Sequence, residues 1–158
     1  MIKILFVCHG NICRSVGAQY ILQDMVNRRE LSGDFLIESA AATTEEIGNP
    51  IYPPMERALR KKGIPIGDHR ARQLRKADYN RYDLLIGMDE ENLSDMNWIL
   101  GGDPEGKVSL LLDFTAHPRS VADPWYTRDF PTAEKEIDEG CRALLQFIMS
   151  KAPSHTFP

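Results

Sequence analysis

The chain has 158 residues, of which 42% are hydrophobic and 27% are charged, and its formal net charge is −4 with a pI near 5.6. This length suits a single core, so we expect residues 1–158 to form one domain. The acidic balance argues against a general nucleic-acid binder, which would carry a basic face, although an acidic chain can still bind an anion at a concentrated local site.

The sequence gives no sign of export or membrane insertion. Its first apolar run, residues 2–7, is too short to span a membrane and no cleavage site follows it, so we expect a cytoplasmic protein without a membrane span. Its three cysteines, Cys8, Cys13 and Cys141, are few and odd in number, which does not suggest the disulfide framework of a secreted domain. Residues 152–158 are interpreted as a loose tail.

Strand and helix patterns alternate along the chain. The run Ile2–Val7 is almost entirely apolar, as expected for a central parallel strand that is buried on both faces. The later elements are predicted as a helix over Ser15–Arg29, a strand over Phe35–Ser39, a helix from Pro53 or Pro54 closed by Gly63, a strand over Tyr82–Met88, a short helix over Glu90–Met96 capped by Asp89, a strand over Lys107–Leu112 and a helix over Thr132–Lys151. This alternation predicts an α/β sandwich around a parallel sheet, whose ligands bind where the strands end.

The residues that follow the first strand form a C-x5-R-S segment between a strand and a helix. A loop wrapped onto a helix N-terminus supplies the backbone N–H groups that a phosphate dianion needs. Gly10 and Asn11 tolerate the left-handed backbone that curling this loop requires, and Arg14 can hold two phosphate oxygens through its planar fork. The expected cradle consists of Cys8, His9, Gly10, Asn11, Ile12, Cys13, Arg14 and Ser15.

Cys8 is the candidate nucleophile of this cradle. Cysteines near arginine at helix N-termini ionise more readily than free cysteine, and the Ser15 hydroxyl can donate to the thiolate. The C-x5-R spacing alone is weak evidence, and its position between a strand and a helix strengthens it. In the alternative interpretation Cys8 is a small buried residue at a strand end and Arg14 is a solvated helix residue.

A second chemical element lies far along the chain, at Asp123-Pro124. The leaving oxygen of a phosphate ester must be protonated, and a residue before proline is held extended, which projects the Asp123 carboxyl from its loop. Trp125 and Tyr126 can form an aromatic wall for a leaving group that carries a ring. An ordinary Asp-Pro turn with surface aromatics is the alternative.

Three further residues have ordinary interpretations when taken alone. His69 lies in a basic stretch typical of a solvated surface, and Asp89 is a helix cap. Cys141 falls on the apolar face of the last predicted helix, so we interpret it as a core residue.

Together these segments resemble the low-molecular-weight protein tyrosine phosphatases. The strongest matches are VCHGNICRS at residues 7–15 and DPWY at residues 123–126, and residues 37–42, 63–65, 68–73 and 88–93 also follow the family's order. The resemblance covers nearly the whole chain. It implies a flavodoxin-like fold, a three-layer sandwich whose four-stranded parallel sheet has the order 2-1-3-4 and carries helices on both faces.

The resemblance assigns the chemistry to three residues. Cys8 resembles the nucleophile, Arg14 the phosphate-binding arginine and Asp123 the general acid. The implied reaction has two steps through a phosphocysteine, with Asp123 as acid and then as base, and its pH optimum should be mildly acidic. The residues expected to contact substrate are His9, Gly10, Asn11, Ile12, Cys13, Ser15, Trp125 and Tyr126.

Supporting residues are also implied by the resemblance. Asn11, Ser15 and Ser39 match polar residues that hold the loop in shape, and His69 matches a histidine of that network. Asp89 matches a carboxylate expected to orient His69. Cys13 matches the second loop cysteine of the family, which can form a protective disulfide with the nucleophile.

The implied partner is a phosphotyrosine protein or an aryl phosphate, with no metal, no organic cofactor and no nucleic acid. A monomer is expected, with a weak dimer as the alternative.

Four residues depart from the family pattern and bear on substrate preference. His9 stands where an aliphatic residue is more common, and Val16 stands where many relatives have proline. Glu45 and Glu46 occupy the variable loop in which animal forms carry an aromatic residue, so we expect that side of the cleft to be acidic.

Three rival functions fit these residues less well than a phosphatase does. A thiol-dependent arsenate reductase on the same fold needs further redox cysteines, and none lies between Cys13 and Cys141. A non-catalytic phosphate or phosphopeptide sensor, switched by a Cys8–Cys13 disulfide, would need neither a nucleophile nor an acid. A zinc site built from Cys8, His9, Cys13 and Cys141 fits no common ligand spacing.

Overall fold

A computed structural model gives the fold of residues 1–151, and the predicted loose tail, 152–158, lies outside the described residues. In chain order the strands and α-helices are β1 (Ile2–Cys8), α1 (Arg14–Arg28), β2 (Phe35–Ala41), α2 (Pro53–Lys61), α3 (Asp78–Arg81), β3 (Leu84–Gly87), α4 (Glu90–Leu100), β4 (Val108–Leu110), α5 (Pro124–Thr127) and α6 (Phe130–Lys151). Two 3₁₀ turns cover Ser32–Asp34 and Leu111–Phe114. No helix within residues 1–151 is both long and apolar enough to cross a membrane.

The four strands form one parallel sheet in the order β2-β1-β3-β4, which confirms the predicted α/β fold and its strand order. β1 lies in the middle of this sheet and is buried on both faces. Ile4 and Phe6 face a core shared with α1 and α6, whereas Leu5 and Val7 face a second core that includes residues of α4. Because β1 pairs with β2 as far as Cys8, the strand delivers this residue to the carboxyl edge of the sheet.

β4 is shorter than predicted, and the expected strand over its last two residues is wrong. Leu111 and Leu112 belong to a 3₁₀ turn, because the Asp113 carboxylate accepts a hydrogen bond from the Leu110 N–H at 2.9 Å and turns the chain. Both leucines are still fully buried. A short apolar run indicates burial without distinguishing a strand from a turn, which is why the pattern misled here.

The third strand and its following helix also differ from their predicted limits. β3 begins two residues later than predicted, and α4 continues to Leu100, where Gly101 ends it with a left-handed backbone (φ 76°). The short α3 was not predicted. Its Asp78 carboxylate accepts a hydrogen bond from the Arg75 N–H at 2.8 Å, a side-chain turn that apolar periodicity does not reveal.

The long helix α6 packs closely against the 3₁₀ turn that follows β4. A Cβ atom on Gly140 would lie 2.5 Å from Cγ of the buried Leu111, so this glycine sets the separation of the two segments. Cys141 is fully buried beside it, and its thiol donates to the Ala18 carbonyl oxygen of α1 at 3.6 Å. The interpretation of Cys141 as a core residue is therefore confirmed.

We expect Gly140→Ala to lower the free energy of unfolding by about 1–3 kcal/mol, since the added methyl group must displace Leu111 even though alanine favours the helix by about 1 kcal/mol. Urea denaturation measures the change. Gly33→Ala is the matched control, because a Cβ there meets nothing within 4 Å, and its stability should stay within about 0.5 kcal/mol of wild type. Equal stabilities of the two variants would contradict the close packing at Gly140.

Candidate active site

The segment between β1 and α1, residues 8–15, forms the anion loop. α1 begins at Arg14 with no acidic residue in its first turn and no side-chain hydrogen bond from its N-cap, Cys13. A helix start without a side-chain cap leaves N–H groups and the positive end of the helix dipole available to an anion. The loop therefore has the electrostatic character of an anion site.

The Cys8 sulfur lies at the base of this loop among hydrogen-bond donors. Its Sγ is 3.0 Å from the Ser15 hydroxyl oxygen and accepts from the Ser15 backbone N–H at 3.4 Å. The Asn11 amide donates to that hydroxyl oxygen at 2.9 Å. Because an amide nitrogen can only donate, the Ser15 hydroxyl hydrogen remains free to point at the sulfur. This chain of donors suits a negatively charged sulfur.

Asn11 is the turning point of the loop. It is fully buried and has a left-handed backbone, with φ 59°. Its side-chain oxygen accepts from the Arg72 N–H at 3.2 Å, and its carbonyl oxygen lies 2.6 Å from His69 Nε2. Since a carbonyl oxygen only accepts, Nε2 of His69 carries the proton. Burial lowers the pKa of His69, which keeps the imidazole neutral near pH 7 despite its bond to Asn11.

Of the two residues expected to tolerate a left-handed backbone, Asn11 adopts it and Gly10 does not. A Cβ atom there would lie 3.0 Å from the Glu46 side chain. The glycine at this position therefore leaves room for the Glu46 side chain, and its φ angle makes no special demand.

Arg14 is almost completely buried, and two carboxylates hold its guanidinium. One terminal nitrogen, NH1, lies 2.9 Å from Asp89 Oδ2 and donates to the Val121 carbonyl oxygen at 3.0 Å, and the other, NH2, lies 3.3 Å from Asp123 Oδ2. Burial disfavours the charged form, but the neighbouring sulfur and the two carboxylates outweigh it and raise the pKa of Arg14. The guanidinium is therefore a fixed cation beside the loop.

The expected contact between Asp89 and His69 is wrong. The Asp89 carboxylate pairs with Arg14 and also caps α4, where it accepts from the Asn92 N–H at 2.8 Å. His69 contacts the Asn11 carbonyl oxygen instead. The structure thus separates two residues that the family pattern had suggested as partners.

Ser39 does not hydrogen-bond to the anion loop within residues 1–151. Its hydroxyl donates to the Gln19 side chain of α1 at 2.5 Å instead. Cys13 is half-buried, and all three cysteines are free thiols. Burial, followed by the nearby Cys8, raises the pKa of Cys13 to about 12, which keeps it a neutral thiol near pH 7. A Cys8–Cys13 disulfide stays a prediction.

Asp123 enters the site from a distant part of the chain. Its backbone is extended (φ −94°, ψ 108°) before Pro124, and its carboxylate accepts from the Trp125 N–H at 3.0 Å while contacting Arg14. Trp125 and Tyr126 follow with 74% and 76% of their surface exposed. The fold therefore brings Cys8, Arg14 and Asp123 to one place.

These residues line one cleft of about 640 Å³. Glu45, Glu46, Glu90 and Glu91 are part of the lining, and His9 lies between Glu45 and Glu91, which its two ring nitrogens contact. Ile12 also contributes to the lining. Residues of the lining that sequence reasoning did not assign to the site are Tyr52, Glu90, Glu91 and Ser120.

The lining residues that were not predicted differ in whether the sequence carries a signal for them. Glu90 and Glu91 begin the helix that follows β3, and the rule that ligands bind where parallel strands end could have identified them. Tyr52 lies in a long loop after β2, where its N–H donates to the Ile12 carbonyl oxygen at 2.7 Å. No sequence signal predicts that contact.

A parallel α/β sandwich that carries a C-x5-R-S loop at the end of its first strand defines a class of phosphate-ester hydrolases. The family model for low molecular weight phosphotyrosine protein phosphatase matches residues 3–154. The chain therefore belongs to the low molecular weight phosphotyrosine protein phosphatase family, which confirms the resemblance seen in its motifs.

Individual relatives agree with this assignment over almost the full length. The low molecular weight protein-tyrosine-phosphatase YfkJ of Bacillus subtilis is 35% identical over 153 residues, covering 96% of this chain and 98% of the relative. The human low molecular weight phosphotyrosine protein phosphatase is 34% identical over 149 residues, covering 91% and 94%. The crystal structure of YfkJ aligns with a TM-score of 0.92 at 35% identity, covering 96% of each chain. That of SP-PTP from Streptococcus pyogenes aligns with a TM-score of 0.85 at 33% identity, covering 96% of this chain and 95% of that one.

We expect Asn11→Ala to destabilise the fold by about 2–4 kcal/mol, because it removes one buried and one partly buried hydrogen bond and places alanine at a positive φ. Asn11→Gly loses the same bonds but accepts the backbone angle, so it should retain about 1 kcal/mol more stability than the alanine variant. Chemical denaturation of the two variants measures the difference. If the alanine variant were as stable as the glycine variant, the left-handed turn would carry no strain.

Proposed function

We propose that the protein hydrolyses phosphate monoesters in two steps, with Cys8 as nucleophile, Arg14 as phosphate-binding residue and Asp123 as general acid and base. The observation that carries this proposal is the convergence of three groups on one cleft: a sulfur among donors, a buried guanidinium and a carboxyl group. A site that only bound phosphate would need neither the sulfur nor the carboxyl group.

The guanidinium has one edge suited to the phosphate. NH1 of Arg14 is held by Asp89 and Val121, whereas Nε has no protein partner among residues 1–151. The edge formed by Nε and NH2 therefore faces the substrate, and the dianion replaces Asp123 on NH2. The released Asp123 carboxyl group must carry a proton to act as the general acid.

In the first step the Cys8 thiolate attacks phosphorus opposite the ester oxygen. The sulfur–phosphorus bond forms, the phosphorus–oxygen bond to the leaving group breaks, and Asp123 gives its proton to the departing oxygen. The loop N–H groups and Arg14 stabilise the three equatorial oxygens as charge develops on them. The product is a phosphocysteine and a free alcohol or phenol.

In the second step water replaces the sulfur. Asp123, now a carboxylate, takes a proton from the water, whose oxygen bonds to phosphorus as the sulfur–phosphorus bond breaks. The sulfur leaves as a thiolate, which the Ser15 hydroxyl stabilises from 3.0 Å. Inorganic phosphate is released, and both Cys8 and Asp123 regain their starting states.

The lining of the cleft supports an aromatic substrate. Trp125 and Tyr126 are exposed on one side, and Tyr52 is part of the lining. A phosphotyrosine side chain is long enough to place its phosphate at the loop while its ring contacts these residues. We therefore propose phosphotyrosine proteins as substrates. Because the reaction needs a reduced Cys8, we place it in a reducing cytoplasm, and the monomeric state stays a prediction.

An arsenate reductase is not favoured by the described residues. Such chemistry needs a second accessible thiol to resolve the intermediate, and burial raises the pKa of Cys141, whose thiol is enclosed beside Ala18. Cys13 remains near the loop, but its pKa of about 12 makes it a poor nucleophile near pH 7.

The decisive test compares wild type with Cys8→Ser on p-nitrophenyl phosphate near pH 5.5 under reducing conditions. We expect turnover in the wild type, inhibition by vanadate, and at least about 10⁴-fold lower kcat in the variant, since a serine hydroxyl stays neutral at this pH. Circular dichroism checks that the variant is folded. A folded, reduced wild type without turnover would exclude the enzyme and favour a phosphate sensor.

The role of Asp123 predicts a change in the pH profile. Wild-type activity should fall as the pH rises and Asp123 loses its proton, whereas Asp123→Ala should reduce kcat by about 10²-fold and flatten that limb of the profile. Asp138→Ala removes a carboxylate from the surface of α6 and serves as the control. An unchanged pH optimum in Asp123→Ala would remove Asp123 from the acid role.

A further inference from the structure

We propose that the mouth of the cleft selects phosphotyrosine sites that have lysine or arginine beside the tyrosine. The inference rests on the proposed phosphatase function and concerns which of its substrates are preferred. It is carried by the acidic rim, which we define as Glu45, Glu46, Glu90 and Glu91.

The rim and the floor of the cleft have opposite electrostatic roles. At the floor, Arg14 and the uncapped start of α1 provide positive potential for the phosphate. Arg14 is the only lysine or arginine that residues 1–151 contribute to the lining, and Asp89 and Asp123 already contact it. The rim adds four carboxylates above this floor, so the part of the substrate outside the phosphate meets a negative surface.

His9 joins the two sides of the rim without neutralising them. Its Nε2 lies 2.6 Å from Glu45 Oε2, and its Nδ1 lies 3.6 Å from Glu91 Oε1. One imidazole supplies at most one positive charge. Glu46 accepts from the Asn49 side-chain amide, which is neutral, and Glu90 has no ion-pair partner within residues 1–151. The rim therefore keeps an excess of negative charge even when His9 is protonated.

Cations of a substrate can reach this charge directly. The Glu45 and Glu91 side chains are 66% and 65% exposed. Trp125 and Tyr126, exposed at the same mouth, add ring faces that attract guanidinium and ammonium groups. Carboxylates that line a cleft focus negative potential there and speed the approach of cationic ligands, whereas carboxylates on a substrate are repelled.

The selectivity should depend on salt, because an exposed charge pair is weak and is screened beyond about 8–10 Å at ordinary ionic strength. We expect the preference to arise mainly in kcat/KM through faster association, with little change in kcat. A preference that came from apolar contacts at the aromatic residues would persist in high salt.

The test uses two phosphotyrosine peptides of equal length that differ only in four flanking positions, all lysine in one and all glutamate in the other. At about 0.02 M salt we expect kcat/KM for the lysine peptide to be about tenfold higher, and at about 0.5 M salt only about two- to threefold higher. Equal values at low salt, or a preference for the glutamate peptide, would overturn the proposal.

Variants localise the effect to the rim. Glu45→Gln combined with Glu91→Gln should reduce the lysine-to-glutamate ratio to about threefold, and lysine at both positions should bring it to one or below. Glu30→Gln is the matched control, since it makes the same change in the turn that follows the last residue of α1, and it should leave the ratio near that of wild type. A ratio unchanged in the rim variants would also overturn the proposal.

Failure of the selectivity and failure of the enzyme can be told apart. Turnover of p-nitrophenyl phosphate with no discrimination between peptides removes the rim proposal and leaves the phosphatase. Calorimetric binding of both peptides to Cys8→Ser gives the same comparison without turnover. Tighter binding of the lysine peptide by a protein that hydrolyses nothing would support the rim and exclude the enzyme.

Discussion

The site depends on one left-handed residue, Asn11, because the chain turns there between Cys8 at the end of β1 and Arg14 at the start of α1. Three contacts hold this turn from different parts of the chain: the Arg72 N–H, the His69 imidazole and the Ser15 hydroxyl. Arg72 is in turn anchored to Asp78 at 3.1 Å. The strain of a positive φ is thus offset by hydrogen bonds that connect the loop to the far side of β2.

The second constraint is the balance of charge around Arg14. A buried guanidinium needs partners in the free protein, and Asp89 and Asp123 supply them. In the proposed reaction Asp123 leaves Arg14 and carries a proton when phosphate binds. Only the contact between Asp89 and Arg14 then persists. The positions of the two residues match these different roles: Asp89 caps the start of α4, and Asp123 lies in a loop before Pro124.

Sequence reasoning succeeded where a single local pattern carries the information. Local sequence patterns predict the buried β1, the parallel sheet through its alternation of strands and helices, and the loop residues that follow β1. It failed where a contact joins distant segments: the pairing of Asp89 with Arg14, the bond from His69 to the Asn11 carbonyl oxygen and the closeness of Glu46 to Gly10. These contacts depend on how three loops meet at the edge of the sheet, which periodicity cannot encode.

The two contacts of Asp89 limit which amino acids could replace it. As the N-cap of α4 it could be exchanged for serine, threonine or asparagine at little cost, since all four accept from the N–H groups of a first turn. As the partner of Arg14 it must keep its negative charge, and as a capping residue it must stay short. Aspartate alone meets both demands, so a position that looks permissive from the helix alone has a single acceptable residue.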